Sequence, residues 1–114
     1  MVKRIVVGAH YGLRDWLAQR ISGVLIAVYV FAILVALPGG RPLTYAAWRG
    51  FFEQGWVRVS TLVFAASLAW HMWVGIRDIL MDYVQPVGLR LALHTVVLLT
   101  ILAYLAWAIH ILWR

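Results

Sequence analysis

The chain contains no cysteine, and its 114 residues include only four acidic residues against ten lysines and arginines. Without cysteine it cannot form a disulfide, a thiolate metal site or a cysteine-ligated iron–sulfur cluster, so any redox chemistry must use another ligand. Charged residues make up only 12% of the sequence, whereas 65% is hydrophobic and the mean hydropathy is +0.90. A water-soluble monomer is excluded, because too few polar side chains remain to cover its surface.

Charge is missing altogether from three long apolar runs, which are residues 21–37, 59–76 and 91–113. A helix needs about 20 residues to cross the roughly 30 Å hydrocarbon core, so each run is long enough when flanking residues help. Strands are excluded, because three open strands would leave unpaired backbone groups in lipid. The sequence predicts an all-α membrane protein, a single domain with three transmembrane helices at about residues 17–37, 57–79 and 89–112.

Two short breaks separate the predicted spans. The first, Pro38 to Pro42, also contains two glycines, and the second runs from Asp82 to Gly88. Such residues stop helices, and short connections predict antiparallel neighbours. Between the first break and the second span, residues 43–54 mix aromatic and charged side chains. This mixture predicts a short amphipathic segment at the headgroups.

The formal net charge of +6 does not indicate a nucleic-acid partner, because the basic residues stand singly between apolar runs. With three spans, the amino-terminal segment and the loop after the second span lie on the same side of the membrane. The positive-inside rule predicts that this side is cytoplasmic, because it carries six basic residues and the other side four. The six are Lys3, Arg4, Arg14, Arg20, Arg77 and Arg90, and the four are Arg41, Arg49, Arg58 and Arg114.

His71 is the ionisable residue deepest in the second run, where such a side chain is costly unless it has a partner or a function. A neutral imidazole is a common axial ligand of haem iron. Gly75, one turn further, would let a flat macrocycle lie against the backbone. A hydrogen bond across a helix interface explains a lone histidine equally well. Spacing alone leaves both interpretations open.

Asp82 and Tyr83 lie about 16 Å beyond His71 along a continuing helix, near the predicted membrane edge. A carboxylate and a phenol there can hydrogen-bond a quinone carbonyl and relay protons to it. The same residue types also occur in ordinary interfacial loops, and spacing alone favours that simpler explanation.

Three further polar residues lie within the spans. Arg20, at the start of the first span, either extends to the headgroups or holds a haem propionate or quinone oxygen with paired donors. His94 offers a second imidazole at a depth similar to that of His71, but Arg90 lies one turn away. We therefore interpret His94, and likewise His110, as interfacial.

The segment from His71 to Pro86 resembles the hydrophobic membrane anchor subunits of succinate dehydrogenase. Its most specific pattern is His71, three residues, Gly75, six residues and the pair Asp82-Tyr83. The resemblance extends over essentially the whole chain. The companion cytochrome b subunit has a similar histidine-glycine-aspartate helix, but the Asp-Tyr-Val-x-Pro ending and the short amino terminus favour the anchor subunit.

The resemblance implies a role for each candidate residue. His71 would supply one axial ligand of a b-type haem, and the cytochrome b subunit would supply the other. Tyr83 would hydrogen-bond ubiquinone, with Asp82 beside it as a proton relay, and Arg20 would lie near the haem propionates and the quinone pocket. No catalytic residue for succinate oxidation is expected in this chain.

The resemblance also implies partners and a location. The chain would join a larger helical bundle with the cytochrome b subunit and anchor the flavoprotein and iron–sulfur subunits. That complex, succinate:ubiquinone oxidoreductase or respiratory complex II, serves the electron transport chain and the tricarboxylic acid cycle at the bacterial inner membrane.

Two other functions remain open from the residues. A small transporter subunit without haem would use His71, Asp78 and Asp82 as a proton or ion path along one helix face. A purely structural anchor would use His71 only as a hydrogen-bonding group between helices.

Overall fold

A computed structural model describes residues 9–37 and 42–114, with side chains from residue 12 onward. The described chain forms α1 (Ala9–Ala36), α2 (Tyr45–Glu53), α3 (Gly55–Tyr83) and α4 (Val87–Leu112), and these residues contain no strand. Three of the helices, α1, α3 and α4, are long and apolar enough to cross a membrane. The predicted all-α fold with three transmembrane helices is confirmed. Most of the first break, residues 38–41, and the basic residues Lys3 and Arg4 lie outside the described residues.

Local signals explain where the helices begin and end. The Thr44 hydroxyl accepts a hydrogen bond from the Ala47 backbone N–H at 3.2 Å, which caps the start of α2. Gln54, in an extended conformation, is the single residue between α2 and α3. At the other end of α3, Val84 is extended and Pro86 then begins the cap of α4. Because α3 continues to Tyr83 and the chain becomes extended only at Val84, Asp82 and Tyr83 lie on the last turn of the helix. They do not lie in the loop that the sequence predicted.

The central helix is α3, which packs against α1 on one side and against α4 on the other. Three contacts show that α1 and α3 are antiparallel, since they pair Asp15 with Arg77, Ser22 with His71, and Tyr29 with Thr61. The Tyr29 ring also stacks on Phe64, with 4.3 Å between ring centroids. Along these pairs the residue numbers rise in α1 and fall in α3.

The serine and threonine hydroxyls within the spans donate hydrogen bonds to backbone carbonyls of their own helix. Several bond the backbone carbonyl four residues earlier, which removes the cost of an unpaired hydroxyl in lipid: Ser60, Thr61, Ser67, Thr95 and Thr100. Only 6–11% of the most hydrophobic window of each span is buried within the chain. The large apolar surface that remains is available to lipid or to another polypeptide.

Candidate functional site

His71 lies near the middle of α3 and faces α1. Its Nδ1 atom is 3.0 Å from the Ser22 hydroxyl oxygen, and Ser22 is the one buried polar residue of the described chain, at 4% exposure. The two helices are close here because α1 carries small residues. A Cβ added to Gly23 would lie 3.6 Å from His71 Cε1, at ordinary van der Waals distance. Ser22 and Gly23 thus form the surface of α1 on which the imidazole rests.

The Ser22 hydroxyl links the imidazole of His71 to the backbone of α1. The hydroxyl donates to the Gln19 backbone carbonyl at 3.2 Å, so it offers a lone pair to His71. When Nδ1 donates to this oxygen, the free lone pair of the imidazole is on Nε2. In metal-binding histidines, a hydrogen bond from one ring nitrogen orients the ring and directs the other nitrogen at the metal.

The Nε2 atom of His71 is accessible. Within the described residues it has no hydrogen-bond partner, and the buried side-chain atoms without a partner are two others, Gln19 Oε1 and Arg77 Nε. Nε2 is therefore not a buried atom of the described chain. A metal ion or a donor on another molecule can approach it there without displacing Ser22.

Gly75 has a different environment from the one the sequence suggested. It faces the Gln19 side chain of α1, and a Cβ at Gly75 would lie 3.5 Å from Gln19 Nε2. The space above this glycine is therefore partly filled by an amide from the same chain. Gly23, which contacts the imidazole itself, is the glycine that shapes the surroundings of His71.

An ion pair joins α1 and α3 nearer the Tyr83 end. Arg77 donates to the Asp15 carboxylate, and its terminal nitrogen is 3.7 Å from Asp78 Oδ1. Two acidic groups thus surround a partly buried guanidinium. Sequence reasoning did not single out Asp15. The signal it missed is one of position and charge. Asp15 is the only acidic residue before the first apolar run, and Arg77 directly follows the second run, so antiparallel spans place these opposite charges on the same side of the membrane.

Asp82 and Tyr83 lie on the last turn of α3, about 16–18 Å from His71 along the helix. Both side chains are exposed, Tyr83 to 80%. Neither makes a side-chain hydrogen bond or ion pair within the described residues. Their polar groups are free to bind a molecule at this end of the helix.

Arg20 does not contact His71, Asp82 or Tyr83. Its guanidinium lies over the ring of Trp16, with 5.5 Å from Cζ to the ring centroid, and the residue is exposed. This stacking holds the charge on the outer surface of α1 without neutralising it. The paired donors of Arg20 remain available to an anionic or carbonyl oxygen.

His94 belongs to the other side of α3. Its Nδ1 donates to the Arg90 carbonyl at 2.7 Å, and its ring packs edge-on against Trp73 at 5.8 Å. Trp73 lies about 200° from His71 around the helix, so the two histidines are on opposite faces of α3. They cannot ligate one metal ion together.

The geometry defines a class of protein: a three-span helical membrane protein with one oriented, accessible imidazole in its central helix and an acidic–phenolic pair at one helix end. The chain belongs to the family of succinate dehydrogenase/fumarate reductase transmembrane subunits, whose family model matches residues 3–109. It is 38% identical over 102 residues to the succinate dehydrogenase hydrophobic membrane anchor subunit of Coxiella burnetii (strain RSA 493 / Nine Mile phase I). The match covers 90% of this chain and 89% of that relative. The resemblance noted from the sequence is confirmed.

Proposed function

We propose that the chain is the membrane anchor subunit of a succinate:quinone oxidoreductase, that it shares a b-type haem with a cytochrome b subunit, and that it forms part of the ubiquinone site. The observation that carries this proposal is the orientation of His71. Its Nδ1 is occupied by Ser22, and its Nε2 is an accessible lone pair. Family membership supports the same assignment.

The residues around His71 fit a haem. His71 Nε2 would hold the iron, Ser22 would fix the ring, and the small residue Gly23 keeps the neighbouring helix close to the imidazole. When bound, the haem supplies a one-electron carrier within the membrane. His94 would not join His71 in holding the iron, because it lies on the opposite face of α3. The second nitrogen would come from the cytochrome b subunit, and the exposed surfaces of α1 and α3 would pack against its helices.

Tyr83 and Asp82 would form part of the quinone site. The Tyr83 hydroxyl would donate a hydrogen bond to a quinone carbonyl oxygen, and Asp82 would pass protons from the aqueous side as the quinone is reduced. Their exposure and their lack of internal partners support this role. Arg20, which lies two residues before Ser22 in α1, would contact either the quinone or a haem propionate.

The Tyr83 end of the bundle would face the cytoplasm of a bacterium, at the inner membrane. The count of basic residues supports this orientation, with six on the Tyr83 side against four on the other. Flavoprotein and iron–sulfur subunits would dock on the same side, so that electrons travel a short distance to quinone. Succinate oxidation itself would take place in those subunits.

The proposal is tested by redox titration of the assembly purified through a tag on this chain. We expect a b-type absorbance spectrum in the wild type. Ser22→Ala should raise the haem midpoint potential by about 20–60 mV, the one-electron equivalent of one ordinary hydrogen bond. The sign follows because an acceptor at Nδ1 makes the imidazole a stronger donor to ferric iron, and alanine removes that acceptor.

Ser22→Thr is the matched control, because it keeps the hydroxyl and should leave the potential within about 10 mV of the wild type on the same scale. A potential unchanged in Ser22→Ala would show that Ser22 does not act on a haem ligand. A colourless but fully assembled complex would favour the haem-free transporter.

A further inference from the structure

A cavity of about 680 Å³ lies at the end of the bundle opposite Tyr83. It is an open cavity, bordered by α2, the start of α3 and the end of α4. Its wall includes three aromatic residues of α2, an acidic residue and three arginines: Tyr45, Trp48, Phe52, Glu53, Arg49, Arg58 and Arg114. The proposed haem and quinone residues are absent from this wall, so the cavity is separate from the site described above.

Two of the three arginines keep positive charge available to the cavity. Arg49 is neutralised by Glu53, whose carboxylate accepts its Nε–H at 3.0 Å and raises the pKa of Arg49 above its usual value. Arg58 uses only Nε, which donates to the Phe52 carbonyl at 3.2 Å and leaves both terminal amino groups free. Arg114 makes no side-chain hydrogen bond or ion pair with the described residues. The cavity is therefore suited to an anion.

An apolar groove continues from this cavity between α3 and α4. It has a volume of about 280 Å³ and shares Thr61 and Ala108 with the larger cavity. It follows α3 from Thr61 to Met72, which is about 16 Å along the helix axis. Its remaining wall is almost entirely aliphatic and aromatic: Phe64, Ala65, Leu68, Ala69, Ile101, Tyr104 and Leu105. The groove is thus an apolar extension of the cationic cavity.

We propose that the cavity and the groove together bind one anionic phospholipid, with its phosphate at Arg58 and Arg114 and one acyl chain between α3 and α4. Guanidinium groups match phosphate oxygens with paired hydrogen bonds. Tyr45 and Trp48 are residue types that occupy the headgroup level of a membrane. A neutral quinone would leave both guanidinium groups uncompensated, and a partner helix about 10 Å wide does not fit the groove.

The test is native mass spectrometry of the purified complex after delipidation and titration with single lipids. Dioleoyl phosphatidylglycerol and dioleoyl phosphatidylcholine are the probes, because they share acyl chains and differ in net charge. We expect the wild type to prefer phosphatidylglycerol and Arg58→Gln to weaken its binding about tenfold, the scale of one charge-assisted hydrogen bond. Arg114→Gln should weaken it as well and serves if Arg58→Gln fails to assemble.

Two control variants distinguish the contribution of the headgroup to lipid binding from that of the acyl chain. Arg90→Gln makes the same charge change at the opposite end of α4 and should leave the preference intact. Ala69→Leu narrows the groove and should weaken both lipids by a similar factor.

Equal affinity of the wild type for the two lipids would overturn the proposal, as would an unchanged preference in Arg58→Gln and Arg114→Gln. Retention of a quinone in this cavity, lost in those variants, would assign the cavity to quinone and also overturn the proposal. None of these outcomes depends on whether His71 binds haem.

Discussion

Replacing His71 with alanine is expected to lower the haem affinity of the assembled complex by at least tenfold. Loss of a hydrogen-bond partner beside a metal ligand already costs about 10–100-fold in metal affinity, and alanine removes the ligand itself. Any haem that remains should have a shifted absorbance spectrum, because the iron has lost one axial nitrogen. The measurement is the haem-to-protein ratio and the reduced-minus-oxidised spectrum of complexes purified through the same tag.

His94→Ala is the matched control for this change. It removes an imidazole of equal size, whose Nδ1 bonds the Arg90 carbonyl on the opposite face of α3. Its haem content and spectrum should equal those of the wild type. Full haem occupancy with an unchanged spectrum in His71→Ala would rule out ligation by His71 and favour the hydrogen-bonding role that the sequence left open.

Replacing Tyr83 with phenylalanine is expected to slow quinone reduction about ten- to a hundredfold. The phenol is proposed to donate a hydrogen bond that strengthens as negative charge develops on the quinone oxygen, and bonds to charged groups contribute about 1.5–3 kcal/mol. The side chain is 80% exposed and makes no hydrogen bond within the described residues, so the fold should not depend on its hydroxyl. Succinate oxidation with an artificial acceptor should continue at the wild-type rate.

Tyr104→Phe provides the comparison for Tyr83→Phe. Tyr104 is also exposed, at 66%, but lies within α4 and far from the Tyr83 end of the bundle. Both activities should be normal in that variant. An equal loss of quinone reduction and artificial-acceptor reduction in Tyr83→Phe would indicate defective assembly and would remove the support for a quinone contact.

The three spans could be predicted from sequence because they depend only on the length of the uncharged runs along the chain. A run without charge either is or is not long enough to cross the hydrocarbon core, and the positions of Arg20, Arg58 and Arg90 are visible without coordinates. His71 could be selected on the same ground, since an ionisable group at that depth is costly. These inferences need no knowledge of how helices pack.

The environment of His71 could not be predicted in this way, because it depends on how α1 is rotated against α3. The hydrogen bond from His71 to Ser22 joins residues 49 positions apart. The pairing of Asp15 with Arg77 depends on the same rotation. Nothing in the spacing of the sequence showed that Ser22 and Gly23 would lie against His71.

The residues proposed to bind quinone illustrate a second limit. The sequence placed Asp82 and Tyr83 in a loop, whereas α3 continues through both and directs them from its last turn. The chain alone leaves them exposed, so the walls of any quinone pocket must come from other molecules. Their role, and that of Arg20, stays a prediction that only the assembled complex can test.

The most direct test of the central claim is a cryo-electron microscopy map of the assembled complex around His71. We expect flat tetrapyrrole density in contact with His71 Nε2, Ser22 still bonded to Nδ1, and a second axial ligand from another polypeptide. A map in which Nε2 faces acyl chains, or bonds a side chain with no tetrapyrrole beside it, would contradict the proposed function.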